Sequence, residues 1–230
     1  VNAGEVDTAL DLLRGPADDV DLIEISPSAR GLPAPLLGEL VGAWTPIVQA
    51  ADPATALSLL GHTRVLCAHR RGRLGVEGIN RAIQEALEAA GVVRPRGTFW
   101  AGRPVLVRRN DPELGLFNGD IGLLLPDPAA PQGALWAWFP GAPGDAPRRL
   151  HPARLPVHDT VFAMTVHQSQ GSQFAHPVVV LPARPSAILT RELLYTGITR
   201  AQKQVTVVAS EAALQAGIEA RVVRQSGLEA

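Results

Sequence analysis

The stretch "VFAMTVHQSQGSQFAHPVVVLP", residues 161–182, decides how this chain is read. It opens on the apolar run Val161-Phe162-Ala163-Met164 and closes on Val178-Val179-Val180-Leu181. Short runs of this kind form strands buried on both faces. Between them, "TVHQSQGSQF" (residues 165–174) holds a histidine, two serines, three glutamines and one glycine. A connection that only turned the chain would need Gly, Asn, Asp or Pro and little else. This one carries more hydrogen-bonding groups than turning requires, and it follows a strand directly. In a parallel sheet the carboxyl ends of strands are where ligands bind, so the segment is a candidate site.

Working outward, strand and helix alternate on both sides. Downstream, "TRELLYTGITRA" reads as a helix with Thr190 as its N-cap and Glu192 in the first turn. "QVTVVAS" follows as a strand and "EAALQAGIEARVV" as a terminal helix. Upstream, "VDTALDLLR" reads as a short helix, "VDLIEI" as a strand, residues 36–49 and 53–60 as helices, and "TRVLCAH" as a buried strand. "GVEGINRAIQEALEAAG" is the clearest helix, because Val76, Ile79, Ile83, Leu87 and Ala90 share one face and Gly91 supplies the stop. Strands separated by helices predict an α/β fold around a largely parallel sheet covered on both faces.

Residues 98–156 break this pattern. No helical period survives there, and the runs "RPVLVRR", "LGLFNGDIGLLLP", "GALWAWFP" and "RRLHPARLP" are short, strand-like and interrupted by Gly and Pro. Asn118-Gly119, set between apolar runs, is the strongest local hairpin signal in the chain. The segment reads as a small β-barrel inserted into the larger domain, with "PDPAAPQG" and "PGAPGDAP" as its loop tips.

Composition bounds the function. A chain of 230 residues, 46% hydrophobic, can bury one good core, or one core and a small satellite. A net charge of −1 gives no whole-chain attraction to nucleic acid and leaves room only for a local basic patch. A single cysteine, Cys67, excludes an internal disulfide and any multi-cysteine metal site, which suits a reducing, cytoplasmic location. No apolar run approaches ~18 residues and no charged-then-apolar leader opens the chain, so neither a membrane partner nor a secretory signal is expected. Val1 runs almost directly into a helix, which is expected of a chain cut from something longer. Lys203 is the only lysine, and it stands in "AQKQ", so no Gly-Lys-Ser/Thr loop cradles a nucleotide's phosphates here. No paired carboxylates with metal-ligand spacing occur, so no nuclease site is expected.

"AMTVHQSQGSQF" followed by "TRELLYTGITRA" resembles motifs V and VI of superfamily 1 helicases. "LCAHRRGRLGVEGIN", "GRPVLVRRNDPELGLFNGDIG" and the closing "RQSGLEA" are similar, in the same order, to the RecD family, the alpha subunits of bacterial exodeoxyribonuclease V. The likeness runs from "VNAGEVDTAL" over nearly the whole chain. Motifs V and VI alone would place it only among related helicases; "FNGDIG" makes the likeness specific to RecD. The resemblance implies a second RecA-like motor domain at residues 1–95 and 159–230, with an SH3-like β-barrel inserted at 96–158. It implies an ATP-dependent 5′→3′ DNA helicase of double-strand break repair and recombination. Single-stranded DNA and an upstream RecA-like domain of the same protein are the implied partners, with RecB-like and RecC-like subunits as further candidates. ATP with Mg²⁺ would be bound mainly by that upstream domain.

Residue by residue, the resemblance gives Arg200 the motif VI role, reaching a γ-phosphate across a cleft. A permanently charged planar fork suits charge spread over phosphoryl oxygens. Gly171 and Gln173 match positions that approach the γ-phosphate and ribose, though the family usually has glutamate at Gln173 and lysine at Gln168. Thr165 and His167 match DNA-backbone contacts, and Arg70 and Arg71 of "HRRGR" and Asn118 of "FNGD" are placed with them as DNA-binding residues. Read without the family, each has a plainer role. Arg200 would complement a helix dipole, His167 would be a satisfied strand-end histidine, and "HRRGR" would be a solvated loop. Trp136, Trp138 and Phe139 could stack bases or fill a core. A non-catalytic module binding single-stranded DNA or a partner subunit through its barrel is the alternative class of function.

Overall fold

The computed structural model describes residues 5–15, 19–127, 129–130, 133–142 and 144–221. The opening "VNAG", the closing "RQSGLEA" and parts of both Pro-rich loop tips lie outside the described residues. In chain order the elements are α1 (Val6–Arg14), β1 (Val20–Glu24), α2 (Ala34–Val48), α3 (Pro53–Leu60), β2 (Thr63–Cys67) and α4 (Val76–Ala89). Then come β3 (Pro104–Val107), β4 (Ile121–Pro126), β5 (Leu135–Phe139), β6 (Arg148–Leu150), a 3-10 turn (Pro152–Arg154) and β7 (His158–Thr160). β8 (Ala163–Thr165), β9 (His176–Val180), α5 (Arg191–Ile198), β10 (Val205–Ala209) and α6 (Glu211–Glu219) complete the chain. Compactness divides it into two units, residues 1–30, 64–76 and 164–230 in the first, and 31–63 and 77–163 in the second.

The first unit is built on a five-stranded sheet in the order β1-β10-β9-β2-β8. β10 is parallel to both neighbours, with Val20 opposite Val205 and Val207 opposite Val179. β10 is buried along its whole length, and β2 and β9 beyond their first residue. That is why these strands read as unbroken apolar runs: with both faces covered, no position faces water. Each fully buried valine stabilises the sheet by roughly 1.5–3 kcal/mol. Thr190 caps α5 by accepting the Leu193 N–H at 3.3 Å, and Ser210 caps α6 by accepting that of Ala213 at 3.2 Å. Gly197 lets α5 lie close to β9, since a Cβ there would stand 3.2 Å from a Val179 methyl.

The second unit holds an antiparallel sheet in the order β6-β5-β4-β3-β7. Val105, Val107, Leu116, Leu124, Ala137 and Phe139 form its core. The period-two alternation of β5 sends Ala137 and Phe139 into that core and Trp136 and Trp138 to the other face. Residues 31–63 and 77–95, bearing α2, α3 and most of α4, fall in the same compact unit. No helix among the described residues is long and apolar enough to cross a membrane.

Three local expectations need correction. "TVFAMTV" is not one strand: β7 pairs antiparallel with β3, and β8 joins the parallel sheet. Between them Phe162 is taken up by Trp44, edge-on at 4.7 Å, and Trp100, stacked at 6.2 Å. That aromatic pocket fixes the point at which the chain changes sheets. Asn118-Gly119 does not close a tight hairpin between two flanking strands. β4 pairs with β3, and residues 108–120 form a folded connection in which Asp111 and Leu116 bridge each other. The terminal helix ends at Glu219, where Ala220 turns extended; residues 222 and 223 of the expected helix lie outside the described residues.

Candidate functional site

Thr165 ends β8 and closes a turn on itself. Its backbone N–H and its hydroxyl both donate to Gln168 Oε1, at 3.0 and 3.1 Å, while the Gln168 N–H donates back to Thr165 Oγ1 at 3.1 Å. Ser169, fully buried, donates its hydroxyl to the Val166 carbonyl at 2.7 Å. The Val166 N–H in turn reaches the Cys67 carbonyl at the end of β2. Thr165, Gln168 and Ser169 thus build the turn. Gly171 follows at φ +84°, the left-handed region that favours glycine, with open space where a Cβ would stand. His167 and Gln170 line a cavity of about 440 Å³ together with Thr190, Glu192, Thr196 and Arg221.

Beyond Gly171 the chain zips onto the segment that follows α5. Phe174 N–H donates to the Arg200 carbonyl at 2.9 Å, and Gln202 N–H to the Phe174 carbonyl at 2.8 Å. Arg200 sits one residue past the C-cap of α5. Its guanidinium donates to the Thr196 carbonyl (3.1 Å), the Ser172 carbonyl (3.3 Å) and Thr199 Oγ1 (3.4 Å). All three acceptors are neutral and no carboxylate among the described residues pairs with the guanidinium, so its charge can exchange these partners for phosphate oxygens. Gln202 Nε2 and Gln173 Oε1 stand 3.3 Å apart on the exposed side. Beneath, the buried Arg64 guanidinium lies 5.7 Å from the centre of the Phe174 ring. Burial lowers its pKa to about 10, so it stays charged at neutral pH.

"HRRGR" occupies the loop between β2 and α4. Gly75 is required there, because a Cβ would meet the Arg71 carbonyl oxygen at 2.2 Å. Arg71 and Arg73 line a second cavity, of about 350 Å³, with Arg30 and His69; Arg70 and Arg71 are both exposed. Thr165, His167, Gly171, Gln173 and Arg200 therefore lie on two segments joined by one hydrogen-bonded ladder, and Arg70 and Arg71 on a separate loop of the same unit. Asn118 belongs to the other unit, where its N–H donates to Asn110 Oδ1 at 2.7 Å.

Trp136 is not an open platform. Trp136 carries the Arg149 guanidinium over its face at 4.8 Å and the His151 ring at its edge, and Phe139 is core. Arg149 is itself paired with the buried Asp127. Sequence reasoning missed Arg64, Gln202 and the Thr165–Gln168 closure. The one available signal was a charged residue inside the apolar run "TRVLC". Among the described residues no three His, Cys, Asp or Glu side chains could hold a metal ion.

Residues 160–208 match the UvrD-like helicase C-terminal domain. The chain is 40% identical over 228 residues to the RecBCD enzyme subunit RecD of Mycobacterium tuberculosis, a match covering 99% of this chain and 38% of that one. It is 40% identical over 167 residues to the RecBCD enzyme subunit RecD of Haemophilus influenzae, covering 72% of this chain and 24% of that one. It is 30% identical over 171 residues to the ATP-dependent RecD2 DNA helicase of Deinococcus radiodurans, covering 73% and 23%. The chain thus spans about two fifths or less of the length of the curated relatives it matches.

Proposed function

We propose, from the premise that this chain belongs to the RecD family as a C-terminal portion, that it is the second motor domain of an ATP-dependent DNA helicase. The observation that carries this reading is the backbone ladder joining residues 174–175 to 200–204, with the Arg200 side chain reaching Ser172. It sets Arg200 beside a glycine-bearing turn at the carboxyl end of a parallel sheet. Arg200 trades the Thr196 and Ser172 carbonyls for phosphoryl oxygens when an upstream RecA-like domain of the same protein presents ATP. Its fork then stabilises charge that develops in the transition state. The open backbone at Gly171 admits the nucleotide closely, and the Gln173 amide faces its ribose. His167, Arg70 and Arg71 hold the backbone of a single DNA strand, contacts that position the strand without reading its sequence.

The antiparallel sheet supports an SH3-like barrel reading: its last strand lies beside its first, and a 3-10 turn precedes that last strand. The motor domain at 1–95 and 159–230 then carries the barrel as an insertion at 96–158. A 5′→3′ direction of travel, a role in double-strand break repair, RecB-like and RecC-like partner subunits and a cytoplasmic location complete the reading. Magnesium would be held with ATP by the upstream domain. The test compares the 230-residue chain with the full-length protein. The full-length protein is expected to hydrolyse ATP in response to single-stranded DNA, and the isolated chain is expected not to. DNA-stimulated turnover by a clean preparation of the isolated chain would overturn the proposed division of labour.

A further inference from the structure

We infer that the group this turn offers to a strand phosphate is the side-chain amide of Gln168, held in place by Thr165, and not the Thr165 hydroxyl. The inference rests on the strand-binding reading above and assigns within it a contact residue and a positioning residue.

Donor and acceptor accounting leads there. The Thr165 backbone N–H can only donate, so the Gln168 atom 3.0 Å from it must be the amide oxygen, and the orientation of that amide is fixed. The Thr165 hydroxyl receives the Gln168 N–H at 3.1 Å, so its single hydrogen points to Gln168 Oε1 at 3.1 Å. Nothing of that hydroxyl's donor capacity is left for a phosphate. The other end of the amide is different. With its oxygen pinned on Thr165, the Gln168 NH₂ group faces away from Thr165, and its two N–H donors meet no partner among the described residues. Three hydrogen bonds between residues 165 and 168 hold the side chain before any ligand arrives, so little rotamer freedom remains to be lost on binding. The turn follows a strand of the parallel sheet, and its His167 and Gln170 line the 440 Å³ cavity. Two neutral, pre-oriented N–H donors at such a place fit an anionic phosphodiester oxygen. Being neutral, they bind it without releasing a counterion.

The experiment measures the affinity of the full-length protein for a single-stranded oligonucleotide across a salt series. Gln168→Glu keeps the acceptor oxygen for Thr165 and replaces the two outward donors with an anionic oxygen. Its melting temperature should match wild type while strand affinity falls by roughly tenfold or more, since a charge-bearing oxygen faces the phosphate. Gln168→Lys should steepen the slope of log affinity against log salt by about 0.7, the increment for one added phosphate contact on a single strand. Thr165→Val should weaken binding as Gln168→Leu does, and the double variant no further, because the two residues act as one unit. Wild-type affinity in Gln168→Glu, with His167→Ala weakened, would sink the inference and leave the strand-binding reading intact. Wild-type affinity in both would remove the strand-binding reading of the turn, and the inference with it.

Discussion

Two polar loops leave strands of this chain, residues 108–120 after β3 and 165–174 after β8, and they spend their hydrogen-bonding groups differently. In the first, Asn110 Oδ1 takes the Asn118 N–H, Asp111 Oδ1 takes that of Leu114, and Asp120 Oδ2 takes that of Phe117. Arg148 closes over it by donating to the Gly115 carbonyl at 3.0 Å, and Leu116 plugs it into the core. Three of its side-chain acceptors, Asn110, Asp111 and Asp120, thus hold the loop's own backbone. In the second loop only Thr165, Ser169 and one end of Gln168 are used that way. His167, Gln170 and the Gln168 NH₂ are left over, and the exposed Gln173 reaches only the Gln202 amide. Polar content alone does not separate a turn from a site; what separates them is the donors and acceptors left once the turn is satisfied.

The sharpest way to break this contrast is at Arg200. In the full-length protein Arg200→Ala should lower kcat for ATP by about 10³–10⁵, the range for arginines that stabilise phosphoryl transfer, with nucleotide affinity changing far less. Asn118→Ala should leave turnover within a few-fold of wild type. Equal losses would erase the distinction between the loops. Lysine at position 200 should rescue poorly, because an ammonium cannot reproduce the planar fork.

Next in size is the apolar plug. Leu116 is 2% exposed, and Leu116→Ala should cost about 2–5 kcal/mol in a denaturant titration, without changing strand affinity per folded molecule. Asn110→Ala should cost about 1 kcal/mol, the worth of one turn-closing hydrogen bond, again with unchanged strand affinity. A loss of strand affinity in either would move the first loop into the site. The smallest expected effect is none. Cys67 lies buried under the second loop, and burial pushes its thiol pKa well up, so a thiolate-selective reagent should label it only as the chain unfolds. Rapid labelling of the native chain would mean that β2 opens beneath the turn.

Much of the fold was legible where periodicity and burial agree. The face of α4 formed by Ile79, Ile83 and Leu87 is buried as its spacing predicts, and Thr190 caps α5 where the sequence places the cap. The misreadings share a cause: each depended on a partner distant in sequence. Nothing local in "TVFAMTV" announces that Trp44 and Trp100 will claim Phe162 and split the strand. Nothing local in "FNGD" shows that Asn110 will occupy the Asn118 N–H. Of the candidate site, residue types and strand-end position were legible. The ladder between Phe174 and Arg200 was not, since it joins segments separated by α5. Arg64 was hidden because a strand with both faces covered ordinarily excludes charge.

The order of the parallel sheet has a consequence in time. β10 lies between β1 and β9, so β1 cannot enter the sheet until residues 205–209 exist. About 180 residues separate the two, and at bacterial-scale synthesis of about 5–20 residues per second that interval is on the order of ten to forty seconds. Throughout it the apolar side chains of α1 and β1 stay without their sheet, while the antiparallel strands between residues 104 and 160 have every partner they need. The nascent chain therefore completes its antiparallel sheet first and its parallel sheet last, and the sheet that carries the candidate site is the one most exposed to mispairing during synthesis.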